Sequence, residues 1–262
     1  HLEAPRFAVI GYGKLGGKEL GYASDLDLIF LHADEDERAA ENYARLAQRL
    51  ISWLTLRTSS GTLFDTDLRL RPSGEKGLLV SSLEGFARYQ DESAWVWEHQ
   101  ALTRARRGAG DAAIGEAFEA IRVRILTRSR DAEKLAGEVL AMREKMHAAH
   151  PNRSGLFDVK HDRGGMIDIE FAVQFLILAH AHRHPALTGN LGNIALLKIA
   201  AGLGLIPVEL AEQCRNAYRE FRRVQHALRL NGAQYARVPQ EQVAGHARAV
   251  RGLWKTVFDS GS

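Results

Sequence analysis

The chain has 262 residues, of which 45% are hydrophobic, with a formal net charge of +3 and one cysteine. This length is enough to bury a substantial core, in one large domain or two smaller ones. The single cysteine, Cys214, excludes an internal disulfide and fits a reducing cytoplasm, where we expect it to be a buried, apolar side chain. No run of about 20 apolar residues occurs, so no membrane segment is predicted. The mild basic charge could favour a polyanionic ligand and gives no reason to expect nucleic acid.

The first seventy residues combine short apolar runs with glycine-rich turns. A buried strand is predicted over 7–10, leading into a glycine-rich loop over 11–21. A second strand is predicted over 25–31, and the two strands could pair as a hairpin. Apolar residues then recur at helical spacing over 35–57, which predicts one long amphipathic helix. Alternation with period two predicts a third strand over 62–71.

After Leu83 nearly all of the apolar pattern is helical in period. The chain therefore predicts an α+β fold in which a mixed β-sheet with helices is followed by an all-α helical bundle. We place the first domain over 1–127 and the helical domain over 128–262.

The loop residues Gly11, Gly13 and Gly16 match the glycine fingerprint of dinucleotide-binding folds, and they follow a predicted strand. That fold needs a crossover helix after the glycines and an acidic residue at the end of the second strand. Only a few residues separate Gly17 from Ser24, so there is no room for this helix. The acidic residues also lie at the start of the second strand, and a dinucleotide site is therefore disfavoured.

An acidic pair opens the second predicted strand. Asp25 and Asp27 are two residues apart, so on a strand their side chains project from the same face. Unless one is protonated, their repulsion calls for a cation, and such hard oxygen ligands suit Mg²⁺ or Mn²⁺ bridging to phosphates. A third carboxylate from the next strand, Asp67 or Asp65, could complete a two-metal site. An isolated acidic pair is more often a solvated strand edge, but together with the glycine loop these acids indicate a nucleotidyltransferase.

The predicted nucleotide-binding residues surround these acids. Backbone N–H groups of the glycine loop could approach phosphates. Lys14, Arg69 and Arg71 could bind the triphosphate of ATP or stabilise the leaving group, although ion pairs between the arginines and the acids are about equally expected. If alternation holds, both arginines share the face of Asp65 and Asp67. The complete predicted set is Lys14, Gly16, Gly17, Ser24, Arg69 and Arg71.

Three further segments have a structural and a functional interpretation. The aromatic and polar segment 95–100 could line a base or peptide pocket, although its tryptophans are more often core. Asp168 begins a helix, where capping is the simpler role, but it or Lys160 could reach the catalytic site. A histidine cluster before Pro185 is better explained as a solvated helix end than as a metal site; its members are His180, His182 and His184.

Four ordered blocks of sequence closely resemble the bacterial glutamine synthetase adenylyltransferases. They lie at 11–30, 67–74, 97–102 and 164–171. The resemblance implies a nucleotidyltransferase fold that uses Mg²⁺ or Mn²⁺ to move AMP from ATP to a tyrosine hydroxyl of glutamine synthetase. It also implies the acidic roles for Asp25, Asp27 and Asp67, and it favours Asp67 over Asp65.

Proteins of this family carry two homologous nucleotidyltransferase domains, one that adds AMP and one that removes it by phosphorolysis. Three short segments, 21–22, 58–61 and 98–100, resemble the C-terminal, adenylylating domain. The resemblance further implies regulation by a PII-type signalling protein and by glutamine. The alternatives are deadenylylation, a non-catalytic regulatory or docking fragment, and a nucleotidyltransferase acting on RNA or a small molecule.

Overall fold

The structure is a computed structural model that describes residues 5–22, 24–59, 61–189 and 191–259. Ala23 and Ser60, which belong to sequence blocks discussed above, lie outside these ranges. Contacts divide the chain into two compact units, His1–Leu126 and Thr127–Ser262. The first unit combines a β-sheet with helices and the second is mainly helical, so the predicted α+β class is confirmed. Within the described residues, no helix combines the length and the apolar character needed to cross a membrane.

The first unit alternates short strands and helices along the chain. In order, its elements are β1 (Phe7–Gly11), α1 (Gly13–Gly16), β2 (Leu26–His32), α2 (Ala39–Thr55), β3 (Arg57–Thr58), β4 (Gly61–Thr62), β5 (Thr66–Asp67), a 3₁₀ turn (Gly74–Lys76), β6 (Val80–Ser82), α3 (Leu83–Glu92), α4 (Val96–Leu102), β7 (Arg106–Gly110) and α5 (Ala112–Leu126).

Five strands of the described chain form one mixed sheet around β2. The strand β1 pairs antiparallel with β2, which confirms the predicted hairpin, and β7 pairs antiparallel with the other edge of β1. Both β5 and β6 run parallel to β2 along its free edge. In this register Asp27 of β2 lies directly beside Asp67 of β5.

Apolar side chains of β1 and β2 pack against α2. Phe7 stacks on Phe30 and on Tyr43, with ring centroids 5.8 Å and 5.5 Å apart. Ala47, one turn further along α2, is fully buried in the same cluster. The hydroxyl of Tyr43 donates to Asp34 at 2.9 Å, so its polar end is satisfied while its ring joins the core. The sheet is thereby held on one face by an amphipathic helix.

Two sequence predictions for this unit were wrong in detail. Of the strand predicted over 62–71, only Thr66–Asp67 joins the main sheet, because the chain turns away after Asp67. The strand β7 (Arg106–Gly110) was also not predicted, because the pattern after Leu83 is mainly helical and the sequence of this strand has no apolar alternation. Such a strand forms because the exposed edge of β1 supplies its hydrogen-bond partners, not because of its own side chains.

The second unit is built from long helices and one short strand pair. In order, its elements are α6 (Ala132–Ala149), β8 (Phe157–Asp158), α7 (Met166–His180), a 3₁₀ turn (Pro185–Thr188), α8 (Asn193–Gly202), α9 (Val208–Leu230), β9 (Arg237–Val238) and α10 (Gln240–Phe258).

The helix α7 is the centre of this unit. It contacts α6, α8, α9 and α10. Nearly every side chain from Met166 to Ala179 is buried, as expected for a helix that is apolar on all faces. Cys214 of α9 is buried as predicted. His180 is the last residue of α7.

One buried ion pair joins α6 to the start of α7. Arg143 donates from Nε to Asp168 at 2.6 Å, and both side chains are almost fully buried. The second oxygen of Asp168 accepts from the Gly164 amide at 2.6 Å, while Arg143 also donates to the His161 carbonyl at 2.9 Å. Both carboxylate oxygens of Asp168 are therefore engaged inside the unit, which favours the structural interpretation.

The segment 95–100 also differs from expectation. Trp95 is 67% exposed, so the prediction that its tryptophans are core is wrong for this residue. The buried residues of this segment are instead Glu98, His99 and Gln100. Glu98 accepts from the Tyr89 hydroxyl at 2.9 Å and from the Trp95 amide at 2.9 Å, which fixes the start of the helix.

Replacing Asp168 with Ala should lower the free energy of unfolding by about 3–5 kcal/mol, because Arg143 would stay buried without its partner. The measurement is urea unfolding followed by circular dichroism. Glu144→Ala is the matched control, since it removes an exposed pair with Arg163 and should leave the free energy of unfolding nearly unchanged. Equal losses in the two variants would contradict the structural role of Asp168.

Candidate active site

Three carboxylates meet at one edge of the main sheet. Asp25 precedes β2, Asp27 lies on it, and Asp67 ends β5. One oxygen from each can be chosen so that all three lie within 4.8 Å of one another. Within the described residues this is the only group of at least three acids, histidines or cysteines so placed. The parallel pairing of β2 with β5 creates the cluster, because it sets Asp27 beside Asp67.

The three acids differ in their electrostatic surroundings. Burial, followed by the charges of Asp25 and Asp67, raises the pKa of Asp27 to about 6. Hydrogen bonds from Arg69 lower the pKa of Asp67 despite its partial burial. Arg69 donates hydrogen bonds to Asp67 from its backbone amide nitrogen, which lies 2.9 Å from Oδ1, and from its guanidinium. The hydrogen bonds from Arg69 therefore stabilise the anionic form of Asp67. Burial and the neighbouring negative charges destabilise the anionic form of Asp27.

The donor set fits a divalent metal. Three carboxylates offer hard oxygen ligands, and a cation among them would offset the repulsion that raises the pKa of Asp27. Oxygen ligands of this type suit Mg²⁺ or Mn²⁺ better than softer metals.

The glycine loop lies against the acidic cluster. Gly13 has a φ of +54°, a conformation that side-chain-bearing residues rarely adopt. A Cβ added to Gly13 would collide with Oδ2 of Asp27. The amide of the preceding Tyr12 donates to the backbone carbonyl of Asp27 at 2.8 Å. The loop can approach the catalytic edge so closely only because position 13 has no side chain.

Two arginines that the sequence did not identify hold this loop in place. Arg104 forms a buried ion pair with Glu19 at 2.6 Å, and its backbone carbonyl lies where a Cβ of Gly16 would be. Arg106 donates to the carbonyl of Gly16 at 3.1 Å and to that of Leu15 at 3.2 Å. Both act over more than 80 residues of sequence separation. No local pattern marks such contacts, although a buried Glu19 does require a cationic partner.

The structure places Lys14, Gly16 and Gly17 in or just after α1, next to the cluster. Lys14 is close enough to lower the pKa of Asp27 by its charge, against the larger opposing effects. Ser24 is buried, and its hydroxyl accepts from the Gly21 amide at 3.1 Å. Ser24 therefore shapes the turn that delivers Asp25 to the cluster.

Arg69 and Arg71 differ from each other and from the prediction of a shared strand face. Arg69 folds back onto Asp67. Arg71 donates to three backbone carbonyls of the following loop, with distances of 2.9 Å to Leu68, 3.0 Å to Glu75 and 3.2 Å to Gly77. Arg71 thus supports the loop, while Arg69 remains beside the acids.

An open cavity of about 390 Å³ lies over this edge and is lined by Asp25, Asp67 and Arg69, among others. Asp65 also lines it, although it is exposed and is not part of the acidic cluster. The backbone carbonyl of Asp65 accepts from the Leu26 amide at 2.9 Å. The cavity is large enough for part of a nucleotide to reach Asp25 and Asp67, the two carboxylates of the cluster that line it.

Comparison with known proteins gives two family matches, one for each unit. Residues 1–121 match the profile of the Glutamate-ammonia ligase adenylyltransferase family. Residues 137–255 match that of the GlnD PII-uridylyltransferase family.

Individual relatives align with nearly the entire chain. The bifunctional glutamine synthetase adenylyltransferase/adenylyl-removing enzyme of Aromatoleum aromaticum is 61% identical over 260 residues, covering 99% of this chain and 28% of that protein. The enzyme of the same name from Burkholderia mallei is 61% identical, covering 98% and 28%. That from Nitrosomonas europaea is 55% identical, covering 98% and 29%. The chain thus spans somewhat more than a quarter of these relatives, and the resemblance found in its sequence is confirmed.

Replacing Gly13 with Ala should displace the Asp27 carboxylate and weaken Mn²⁺ binding, because the new Cβ collides with Oδ2 and the backbone φ is strained. The expected loss of affinity is at least about tenfold, or about 1.4 kcal/mol of binding free energy, because a carboxylate ligand is displaced. Mn²⁺ titration followed by electron paramagnetic resonance measures it.

The control for Gly13→Ala is Gly137→Ala, which adds a methyl group where no atom lies within 4 Å, inside α6. This change should leave Mn²⁺ binding intact and slightly stabilise the helix. Unchanged Mn²⁺ affinity in Gly13→Ala would mean that Asp27 does not bind the metal.

Replacing Asp27 with Asn should stabilise the metal-free protein at neutral pH. Folding raises the pKa of Asp27 from 3.8 to about 6, so the folded protein favours the protonated carboxyl. The stability that this protonation contributes is fully present below pH 4 and is lost as the pH rises through 6. The variant should therefore gain at most about 3 kcal/mol over the parent protein at pH 7 and nothing near pH 4. Urea unfolding in EDTA across this range measures it, and a difference that does not change with pH would contradict the assignment.

Proposed function

Because the chain is a homologue of one segment of the bacterial glutamine synthetase adenylyltransferases, we propose that it transfers AMP from ATP to a tyrosine hydroxyl of glutamine synthetase. The proposal assigns catalysis to residues 1–127 and a helical supporting domain to 128–262. The observation that carries it is the cluster of Asp25, Asp27 and Asp67, which lies inside the segment matching the adenylyltransferase profile. Modification of this kind would regulate nitrogen assimilation in the cytoplasm.

The three carboxylates are the proposed ligands of two Mg²⁺ or Mn²⁺ ions. When bound, these ions would lower the pKa of the attacking hydroxyl and offset the charge of the departing pyrophosphate. Asp27 and Asp67 lie side by side on paired strands, and Asp25 reaches the same place from the turn before β2. The protein therefore contributes ligands from two strands whose separation is set by backbone hydrogen bonds.

The glycine loop and two cations are assigned to the nucleotide. Residues 13–17 lie beside the acids, and the backbone of this loop is assigned to the phosphate oxygens, while Gly16 and Gly17 allow Arg104 to pack closely against it. Lys14 adds a positive charge on the same loop. Arg69 is anchored on Asp67 and lines the open cavity, so its guanidinium is placed to bind the leaving group. Together these groups would orient the α-phosphorus for attack by the tyrosine oxygen as pyrophosphate leaves.

Removal of AMP by phosphorolysis is the second candidate, because the relatives are named as both adenylyltransferase and adenylyl-removing enzymes. The same acids could serve either direction. The segments 21–22 and 98–100 favour addition, since they resemble the adenylylating domain. Control by a PII-type signalling protein and by glutamine belongs to the proposal for the full-length enzyme. The match of residues 137–255 to a PII-uridylyltransferase profile supports a connection with PII signalling.

The test is transfer of labelled AMP from ATP to unmodified glutamine synthetase in the presence of Mg²⁺. Asp25→Asn, Asp27→Asn and Asp67→Asn should each lower the rate at least about 100-fold, because loss of a metal ligand removes several kcal/mol of transition-state stabilisation. Asp65→Asn is the matched control, since Asp65 is exposed and outside the cluster, and it should change the rate less than about threefold.

Three other outcomes would redirect the proposal. Phosphate-dependent release of AMP from modified glutamine synthetase, without incorporation, would assign the removing reaction. Full activity in the Asp25 and Asp27 variants would exclude the acidic cluster from catalysis. Absence of both reactions, with retained binding of glutamine synthetase, would indicate a docking fragment.

A further inference from the structure

A second cavity, of about 320 Å³, lies within the helical unit, far along the chain from the acidic cluster. Its walls come from the end of α6, the segment that follows β8, the end of α9 and the segment before β9. The side chains that matter here are those of His150, Asp158, Lys160, His161 and Arg229. All of them fall inside the segment that matches the uridylyltransferase profile, outside the adenylyltransferase match.

The one carboxylate in the wall is already neutralised. Asp158 is buried, and its Oδ1 accepts from the backbone amides of Lys160 and His161 at 3.0 Å and 3.1 Å. Its Oδ2 lies 3.4 Å from Nε of Arg237. Burial alone would raise the pKa of Asp158, but hydrogen bonds from His161 and Lys160 lower it to about 2. Asp158 therefore stabilises the wall of the cavity through these contacts, which also largely offset its negative charge.

Two cations face the cavity without a carboxylate of their own. Among the described residues, neither Lys160 nor Arg229 forms an ion pair. Arg229 donates only to the Ala233 carbonyl, at 3.3 Å, and it is exposed at the mouth. Since Asp158 is paired with Arg237, the charges of Lys160 and Arg229 make the cavity positive.

The two histidines are held with one ring nitrogen of each engaged. Their rings stack with centroids 4.3 Å apart and planes within 6°. Nδ1 of His150 lies 3.0 Å from the Met146 carbonyl, and Nδ1 of His161 lies 3.4 Å from Asp158. Carbonyl and carboxylate oxygens only accept, so both Nδ1 atoms carry a proton. Nε2 is therefore the ring nitrogen of each histidine that remains to contact a ligand.

We propose that this cavity binds a small oxyanion, a phosphate or carboxylate group, through the positive charges of Lys160 and Arg229, with the rings of His150 and His161 lining the same space. A metal cation is disfavoured because the same two positive side chains face the space it would occupy. The amide of Gln225, which is 6% exposed, and the ring of Tyr235 line the rest of the cavity. They offer contacts to the uncharged part of a small metabolite. All of the lining residues belong to the second unit, and the proposal does not require adenylyl transfer.

The test is titration of the 262-residue chain with inorganic phosphate and, separately, with succinate, followed by isothermal calorimetry and by ¹H–¹⁵N correlation spectra. Saturable binding should shift the amide signals of residues 158–161 and 229–236. The tighter of the two probes identifies whether phosphate or carboxylate chemistry is preferred. Lys160→Met and Arg229→Gln should each weaken that binding about tenfold or more, as expected for loss of a charge-assisted hydrogen bond.

The matched controls remove a charge from the same unit outside the cavity. Lys198→Met lies at an exposed position of α8, and Arg223→Gln lies on α9, where Arg223 pairs with Glu220. Both should bind the probe as the parent protein does. Thermal unfolding shows whether each variant is folded, and Arg229→Gln, at an exposed position, carries the test if Lys160→Met unfolds.

The proposal is overturned by absence of saturable binding for both probes, by equal weakening in the control variants, or by shifts confined to residues 11–21. The last outcome would place the anion on the glycine loop alone. Failure of AMP transfer would leave these binding measurements unaffected, so the two proposals stand or fall separately.

Discussion

Repulsion among three carboxylates is the constraint on which the first unit depends. Asp25, Asp27 and Asp67 offer oxygens within 4.8 Å of one another, and the rise in the pKa of Asp27 to about 6 reflects burial together with the charges of the other two. Backbone pairing of β2 with β5 holds Asp27 and Asp67 together against this repulsion. A protein gains nothing in stability from such an arrangement, so its presence is best explained by a ligand that carries positive charge.

The residues around the cluster keep the loop and the acids from moving apart. Gly13 allows the loop to touch Asp27, and Arg104 and Arg106 tie the following turn to the start of β7. Arg71 holds the chain after β5 by its carbonyl groups. Three arginines therefore serve mainly to orient backbone. Lys14 and Arg69 are the remaining cations near the cluster, and they are the ones that the proposed function assigns to the nucleotide.

The helical unit has a different electrostatic organisation. Its central helix is buried on all sides, and its principal buried ion pair, Arg143 with Asp168, fixes the loop that precedes that helix. The same loop supplies Lys160 and His161 to a positively charged cavity. Acidic and basic sites thus lie on separate units, which suits one for binding cations with nucleotide phosphates and the other for binding an anion.

The sequence by itself determined the α+β class, the β1–β2 hairpin, the buried Cys214 and the resemblance to a family, because these depend on apolar periodicity, residue type and long ordered motifs. It also singled out Asp25 and Asp27, whose spacing alone sets their common face. Residue spacing left Asp65 and Asp67 as alternatives and the family resemblance favoured Asp67, which the tertiary structure places within the acidic cluster. Only the tertiary structure decided that β7 joins the sheet. It also showed Arg104 and Arg106 holding the glycine loop. These features depend on pairing between segments far apart in the chain, and local side-chain pattern carries no information about which distant backbone will supply the partner.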